Sequence, residues 1–230
     1  MKNRRNSIII VAIAVVAIVA LATTFILVKD KLITQPVQDT SNDTSETFSG
    51  SDTYKKYAAL KGDEYDKTFI SNMIVHHESA MNMAEMAMGA AKRQEVKDLA
   101  MNIASSQGSE VAEMVTWQEQ WGYPETSGHM MVDAGDNAAH SMDGMATMND
   151  ELEGLSGDVF DRKFLELMIV HHQDAIDMAM PADTNAKHQE VKDLAKAIIS
   201  AQSSEIEQMQ SWQKSWGFEV TNSDSPSTHV

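Results

Sequence analysis

The stretch MIVHH occupies Met73–His77 and occurs again, unchanged, at Met168–His172, which is 95 positions further along the chain. The same offset, with no gap, relates Gln94–Ala100 to Gln189–Ala195, both of which read QEVKDLA. Matches of this length at one constant spacing indicate an internal duplication. The chain therefore contains two copies of one structural unit.

Each copy has the apolar periodicity of two helices. Apolar residues recur every three or four positions, which predicts helices over about residues 66–91 and 94–121 in the first copy. Gly122 and its equivalent Gly217 follow the second helix of each copy, where glycine commonly ends a helix. Pro181 replaces a methionine of the first copy and predicts that the third helix kinks or ends early.

Two helical hairpins with apolar stripes bury those stripes most simply against each other. The sequence therefore predicts an all-α fold, a four-helix bundle over residues 62–218. Repeat one spans 62–122, repeat two spans 156–218, and residues 123–155 connect them.

The paired histidines are the first candidates for chemistry. On a helix that turns about 100° per residue, both members of a pair flank the centre of the small-residue stripe that faces the core. Buried imidazoles cost free energy unless each finds a partner, such as a metal ion or a carboxylate. The methionines beside them each fit a core role when taken singly, but thioethers are also soft-metal ligands. These candidate ligands are His76, His77, His171, His172, Met73, Met83, Met168 and Met178.

Polar residues lie on the inward stripe of the second helix of each copy. A carboxylate at such a position can accept the second ring N–H of a ligating histidine and fix its tautomer. The alternative is that the glutamates lie at a wet end of the bundle and bind nothing. Asp66 and Asp161, early in the histidine helices, are explained by the favourable interaction of a carboxylate with a helix N-terminus. The candidate supporting residues are Gln107, Glu110, Gln202 and Glu205.

The connection at residues 123–155 is polar and rich in Gly, Asp, Asn and Ser, yet it contains many methionines and histidines. Methionine in such a segment has no core to fill, so the pattern predicts a soft-metal site. The alternative is that these methionines dock on the surface of the bundle. The candidate ligands in this segment are His129, Met130, Met131, His140, Met142, Met145 and Met148.

The N-terminal region predicts export. Residues 1–7 form a basic tip, and residues 8–28 are an uncharged apolar run long enough to span a bilayer. The basic tip predicts a cytoplasmic N-terminus and a membrane-anchored domain outside the cytoplasm, periplasmic or extracellular. A cleaved signal segment is the competing interpretation, and it also exports the rest. Residues 29–61 are expected to be a flexible stalk, and residues 219–230 a disordered tail.

Composition excludes several classes of function. The formal net charge is −16, which argues against nucleic acid as a partner. The absence of cysteine excludes disulfides, thiolate zinc sites and cysteine nucleophiles, whereas 17 methionines supply soft donors that survive an oxidising compartment. The Glu-x-x-His signature of di-iron bundles is missing from both histidine helices, which disfavours that chemistry.

The repeated motif resembles a known bacterial family. Asp-x-x-Phe-(x)3-Met-Ile-x-His-His-x-x-Ala-(x)2-Met-Ala, followed by Gln-x-x-Glu-(x)3-Met-x-x-Trp, is similar to the domain-of-unknown-function 305 family, and the match covers about residues 62–218 in two copies. The resemblance implies a ferritin-like bundle in which both helix pairs form one domain. Some relatives are exported copper-binding proteins of the CopM type. The resemblance therefore implies that the histidines and helix methionines named above bind Cu(I) or Ag(I).

These observations predict an extracytoplasmic protein that binds Cu(I), with Ag(I) as its surrogate, for copper sequestration, tolerance or delivery. Its expected partners are the metal ion, the membrane through residues 8–28, and a copper-handling protein. We expect a binding protein rather than an enzyme. The alternatives are a metal-dependent oxidoreductase with a histidine-rich site, and a metal-free structural bundle whose histidines sense pH.

Overall fold

The computed structural model describes residues 50–124 and 147–218. A further helical turn at residues 147–152 precedes the second half. No strand occurs within the two described ranges, so the predicted all-α class is confirmed there. The helices, numbered in chain order, are α1 (Asp52–Ala59), α2 (Asp63–Ala90), α3 (Gln94–Trp121), α4 (Gly157–Ala179), α5 (Ala182–Asn185) and α6 (Gln189–Trp216).

The long helices form two hairpins, α2 with α3 and α4 with α6. Helices α3 and α6 are followed by Gly122 and Gly217, whose φ angles of 64° and 70° lie in the left-handed region that glycine adopts without strain. Helix α4 ends at Ala179, and the chain then passes Pro181 before the short α5. The predicted interruption of the third helix is confirmed. It occurs here because proline lacks the N–H that would continue the helical hydrogen bonds.

The core consists of two apolar clusters, one toward each end of the bundle. One cluster contains Phe69 and Met73 from the first half of α2, and the other contains Phe164 and Met168 from the first half of α4. The two hairpins contact each other chiefly along α2 and α4. These helices run antiparallel, so both histidine pairs fall between the clusters, at the centre of the bundle.

Two buried aspartates join the hairpins. The carboxylate of Asp66 on α2 accepts the backbone N–H groups of Lys187 and His188 at the start of α6, both at 3.0 Å. Asp161 on α4 accepts those of Lys92 and Arg93 at the start of α3, at 2.9 and 3.2 Å. Each aspartate thus caps a helix of the other hairpin, a more specific role than the macrodipole interaction expected from the sequence.

The prediction of a flexible stalk at residues 29–61 is wrong for the C-terminal part of that range. Helix α1 forms there because the Ser51 side chain accepts the Tyr54 backbone N–H at its start, and Tyr57 is buried against the edge of Tyr65. The turn at 147–152 is the equivalent of α1 in the second copy, with Leu152 buried at the position of Tyr57. The duplication therefore begins earlier than predicted, and the connection at 123–155 is shorter.

The predictions for residues 1–7, 8–28 and 219–230 lie outside the described residues. The same is true of the stalk before residue 50 and of the connection at 125–146. Within residues 50–124 and 147–218, no helix combines the length and the apolar character needed to cross a membrane.

Candidate metal site

Four imidazoles form a row across the centre of the bundle. The rings of His76 and His171, one from each copy, face each other with their centroids 3.7 Å apart. The ring of His77 lies 6.4 Å from that of His76, and the ring of His172 lies 6.4 Å from that of His171. All four side chains are buried. This set is called the histidine row below, and its burial agrees with the core-facing position expected for each pair.

A glutamate stands at each end of the histidine row. Nε2 of His77 lies 2.7 Å from a carboxylate oxygen of Glu110, and Nε2 of His172 lies 2.8 Å from the equivalent oxygen of Glu205. Both glutamates are half-buried, so they do not lie at a wet end of the bundle. With Nε2–H donated to a carboxylate, Nδ1 is left as the nitrogen that carries a lone pair.

Several buried polar atoms in this layer have no hydrogen-bond partner. They include at least one ring nitrogen of every histidine in the row and the side-chain oxygens of two glutamines from α3 and α6. An unpartnered buried polar atom costs free energy, so a cluster of such atoms indicates a place where a cation or a donor fits. The unpartnered atoms are Nδ1 of His76, His77, His171 and His172, Nε2 of His171, and Oε1 of Gln107 and Gln202.

Burial keeps the inner pair of the row uncharged. Burial lowers the pKa of His76 from its ordinary value, although Asp174 partly opposes this effect. Burial, reinforced by the neighbouring imidazoles, holds the pKa of His171 well below its ordinary value. Neutral imidazole is the form of histidine that binds metal ions, because its free nitrogen keeps a lone pair.

The two faces of the inner pair differ in their chemistry. On one face, Asp174 lies 3.4 Å from Nε2 of His76 and accepts a hydrogen bond of 2.6 Å from the Thr53 hydroxyl. Burial raises the pKa of Asp174, but its contacts with His76 and Thr53 outweigh that effect and leave the pKa below its ordinary value. The equivalent positions on the other face hold Ser79, whose buried hydroxyl has no partner, and Met148.

Asp174 is the residue of this site that sequence reasoning missed. A signal was present, because Asp174 comes one helical turn after His171 and therefore shares its face, and because it departs from the repeat at the position of Ser79. The importance of that departure depends on α1, which supplies Thr53 and was not predicted.

The helix methionines lie in the apolar clusters. Met73 and Met178 belong to one cluster, and Met83 and Met168 belong to the other. This is the core role that fits each of them singly. Met148 lies in the helical turn at 147–152, partly buried against the second cluster, as the docking alternative predicts. The remaining predicted ligands of the connection, His129, Met130, Met131, His140, Met142 and Met145, lie outside the described residues.

The described side chains do not form a preassembled high-coordination site. Within residues 50–124 and 147–218, no group of three or more His, Cys, Asp or Glu side chains is arranged to hold a metal ion. The histidine row instead offers imidazole nitrogens in pairs as metal ligands.

Comparison with known families bears directly on this site. Residues 66–221 match the family described as "Domain of unknown function (DUF305)". The chain belongs to the DUF305 family. The matched range contains both histidine pairs and both glutamates of the site, so the histidine row is part of the family domain. No functionally curated protein matches the chain.

Solved structures of DUF305 proteins resemble this chain closely enough to share its fold. CopM in the Cu(I)-bound form is 37% identical, with a TM-score of 0.54, over 66% of this chain and 96% of CopM. CopM in an Ag-bound form is 38% identical, with a TM-score of 0.53, over 66% of this chain and 96% of CopM. A DUF305 protein of Streptomyces coelicolor, described as secreted, is 28% identical, with a TM-score of 0.58, over 66% of this chain and 92% of that protein.

Proposed function

We propose that this DUF305 protein binds a soft monovalent metal ion, Cu(I) or its surrogate Ag(I), as cargo in the histidine row. The observation that carries the proposal is the set of buried, unpartnered ring nitrogens on four adjacent imidazoles. Each imidazole has at least one desolvated nitrogen without a compensating hydrogen bond, and an ion that accepts the one free lone pair of a neutral ring would supply the missing partner.

The residues of the row fit such an ion in their protonation as well as their position. The inner pair is neutral because burial lowers the pKa values of His76 and His171. In the outer pair, Glu110 and Glu205 hold the Nε2–H groups and leave Nδ1 as the donor nitrogen. Gln107 and Gln202 contribute buried amide oxygens that can accept from a bound water or orient an imidazole.

The donor set favours soft, low-coordinate ions over zinc. Structural Zn²⁺ sites take four ligands in tetrahedral geometry, whereas the described residues offer pairs of nitrogens rather than groups of three or more carboxylates and imidazoles. Copper and silver are supported by the structures of CopM, which were solved in Cu(I)-bound, Cu(II)-bound and Ag-bound forms. Bound copper would be held away from water by the apolar clusters at either end of the bundle, which suits storage or delivery better than turnover.

The wider biological role proposed here is copper sequestration, tolerance or delivery outside the cytoplasm. The apolar run at residues 8–28 supports a membrane anchor or signal segment, and the DUF305 relative described as secreted supports export. The methionines and histidines between residues 129 and 145 add soft donors that the proposal assigns to the same cargo. A copper-handling protein is the proposed partner.

The test is an anaerobic Cu(I) titration of the full chain against a competing chromophoric chelator. The decisive variant replaces His76 and His171 with Leu, which removes the inner pair. Asp174 then loses its contact with His76 but keeps the hydrogen bond from the Thr53 hydroxyl. We expect this variant to lose the tightest class of bound Cu(I) while circular dichroism still shows a folded helical bundle.

The matched control is His188→Gln, which removes a histidine stacked on Trp121 outside the row. It should bind Cu(I) as the unaltered chain does. The proposal is wrong if the unaltered chain fails to compete with a weak chelator, or if the folded double variant binds Cu(I) with unchanged affinity and stoichiometry.

A further inference from the structure

Two methionines of the first hairpin lie on the surface rather than in the core. Met88 near the end of α2 is 40% exposed, and Met101 on α3 is 48% exposed. Single exposed apolar residues are common and need no explanation. A facing pair of exposed thioethers calls for an explanation, because it leaves apolar area in contact with water and places two soft metal ligands side by side.

The register of the hairpin shows that these two residues face each other. In the same hairpin, Met81 of α2 lies against Gly108 of α3, where a methyl group on the glycine would be 3.6 Å from the Met81 Cε atom. Seven residues are about two helical turns. Seven residues forward on α2 and seven back on antiparallel α3, Met88 therefore comes opposite Met101.

The second hairpin provides independent evidence for this contact. The residues equivalent to Met88 and Met101 are Asp183 and Lys196, and their side chains form an ion pair of 2.7 Å. Both hairpins reach their turns through the same backbone conformation, with φ and ψ of −65° and 143° at Ala91 and of −69° and 144° at its equivalent, Ala186. The positions are therefore within side-chain reach of each other in both copies.

The chemistry of the two positions has diverged between the copies. The second copy places an ordinary ion pair there, so the fold does not require apolar residues at this surface. The first copy places two uncharged thioethers there, which bind soft ions such as Cu(I) and Ag(I) and have little affinity for hard cations.

We propose that Met88 and Met101 form a second, surface-exposed site for a soft monovalent ion, separate from the histidine row. It rests on the proposed function only in that the cargo is the same class of ion. An ion held by two exposed thioethers remains open to attack by ligands of another molecule. The site therefore suits the exchange of copper with a partner, whereas the histidine row suits its retention.

The experiment follows the methionine methyl groups by NMR while Ag(I) is added as silver nitrate to the full chain labelled with ¹³C at the methionine methyls. Met88→Leu and Met101→Leu identify the two signals. We expect both signals to shift together with Ag(I), and each single variant to weaken the response of the remaining methionine by roughly a hundredfold, because one thioether loses the chelate advantage of two.

Met180→Leu is the matched control, since Met180 is an exposed methionine on the second hairpin at 42%. Its loss should leave the Met88 and Met101 responses unchanged. The transplant Asp183→Met with Lys196→Met should create a second responding pair. Repeating the titration with His76→Leu/His171→Leu separates the two sites, because the surface response should persist when the histidine row is disabled.

Each outcome decides between the proposals. If Met101 responds equally well in the Met88→Leu variant, or if neither methyl shifts while other sites fill with Ag(I), the surface site is wrong and the histidine row is unaffected. If the surface pair responds but Cu(I) titration shows no dependence on the histidines, the proposed function of the row is wrong and the surface site stands.

Discussion

The two halves of the bundle share a frame but differ in the chemistry placed on it. Both halves have a buried aspartate that caps the other hairpin, at Asp66 and Asp161, and both end the histidine row with a glutamate. They differ beside the inner imidazoles, where Asp174 in one half stands opposite Ser79 in the other. Duplication thus retained what holds the helices and histidines in place, and it left the surroundings free to diverge.

The same division holds at the two ends of the bundle. Arg93 packs over Trp216 and pairs with Asp161 at 2.9 Å, whereas its equivalent His188 stacks on Trp121 and contacts Asp66 at 2.6 Å. At each end, one side chain stacks on a tryptophan ring and also contacts the capping aspartate. The capping aspartate is thus present at both ends, whereas the group that covers it differs.

The largest expected effect is the loss of a capping aspartate. Asp66→Asn or Asp161→Asn removes a buried carboxylate that accepts two backbone N–H groups, and the amide nitrogen then faces one of those donors. We expect each variant to lower the free energy of unfolding by about 3 kcal/mol, as measured by urea denaturation followed by circular dichroism. Glu64→Gln, an exposed first-turn change, is the control. A loss below about 1 kcal/mol at both sites would show that the caps do not hold the hairpins together.

The second prediction concerns pH and the unequal faces of the inner pair. In the unfolded chain the pKa of a histidine is about 6.5, whereas burial lowers the pKa of His76 and, more strongly, of His171 in the folded chain. The unfolded state therefore binds more protons, so stability is fully present above about pH 6.5 and falls as pH decreases below it.

The measurement for this prediction is urea denaturation of metal-free chain at a series of pH values. His171→Leu should flatten the decline more than His76→Leu, because Asp174 favours the charged form of His76 and no carboxylate occupies the equivalent position beside His171. Equal flattening by the two variants, or a stability that rises on acidification, would contradict the assignment.

Much of this architecture could be predicted from the sequence, because the pattern of residues within and between the copies carries the signals. The constant offset between copies, the helical spacing of apolar residues, and the glycines at 122 and 217 are local signals, and the structure follows them closely. The contacts of Glu110 and Glu205 with the histidines could also be predicted, since they depend only on facing stripes within one hairpin.

What could not be predicted depends on contacts between distant segments. The carboxylates of Asp66 and Asp161 have the local sequence of ordinary helix starts, and only the antiparallel packing of α2 on α4 shows that they cap another hairpin. Helix α1 is short and polar, so its local signal is weak, and it is stabilised by burying Tyr57 against the bundle. The facing of Met88 and Met101 likewise depends on the register between helices rather than on spacing within one.

The third prediction compares the two ends of the bundle. Arg93→Ala removes a guanidinium that covers Trp216 and Phe218 and that pairs with buried Asp161. We expect a loss of about 2 kcal/mol in the free energy of unfolding by urea denaturation. Arg93→His, which copies the other end, should recover at least half of that loss. If Arg93→His is as unstable as Arg93→Ala, the two ends are not interchangeable as the comparison implies.

The smallest expected effect comes from a buried polar pair that only one half contains. Asn72 donates to the Tyr57 hydroxyl at 2.8 Å, while the equivalent positions hold Leu167 and Leu152, and the Asn72 side-chain oxygen is buried without a partner. Asn72→Leu alone leaves the hydroxyl unpartnered and should cost about 1 to 2 kcal/mol. Adding Tyr57→Phe removes that hydroxyl, so the double variant should return to within about 0.5 kcal/mol of the unaltered chain. A double-mutant cycle by urea denaturation measures the coupling. If the two losses simply add, the hydrogen bond has no energetic role of its own, and the apolar pair of the second half is not its equivalent.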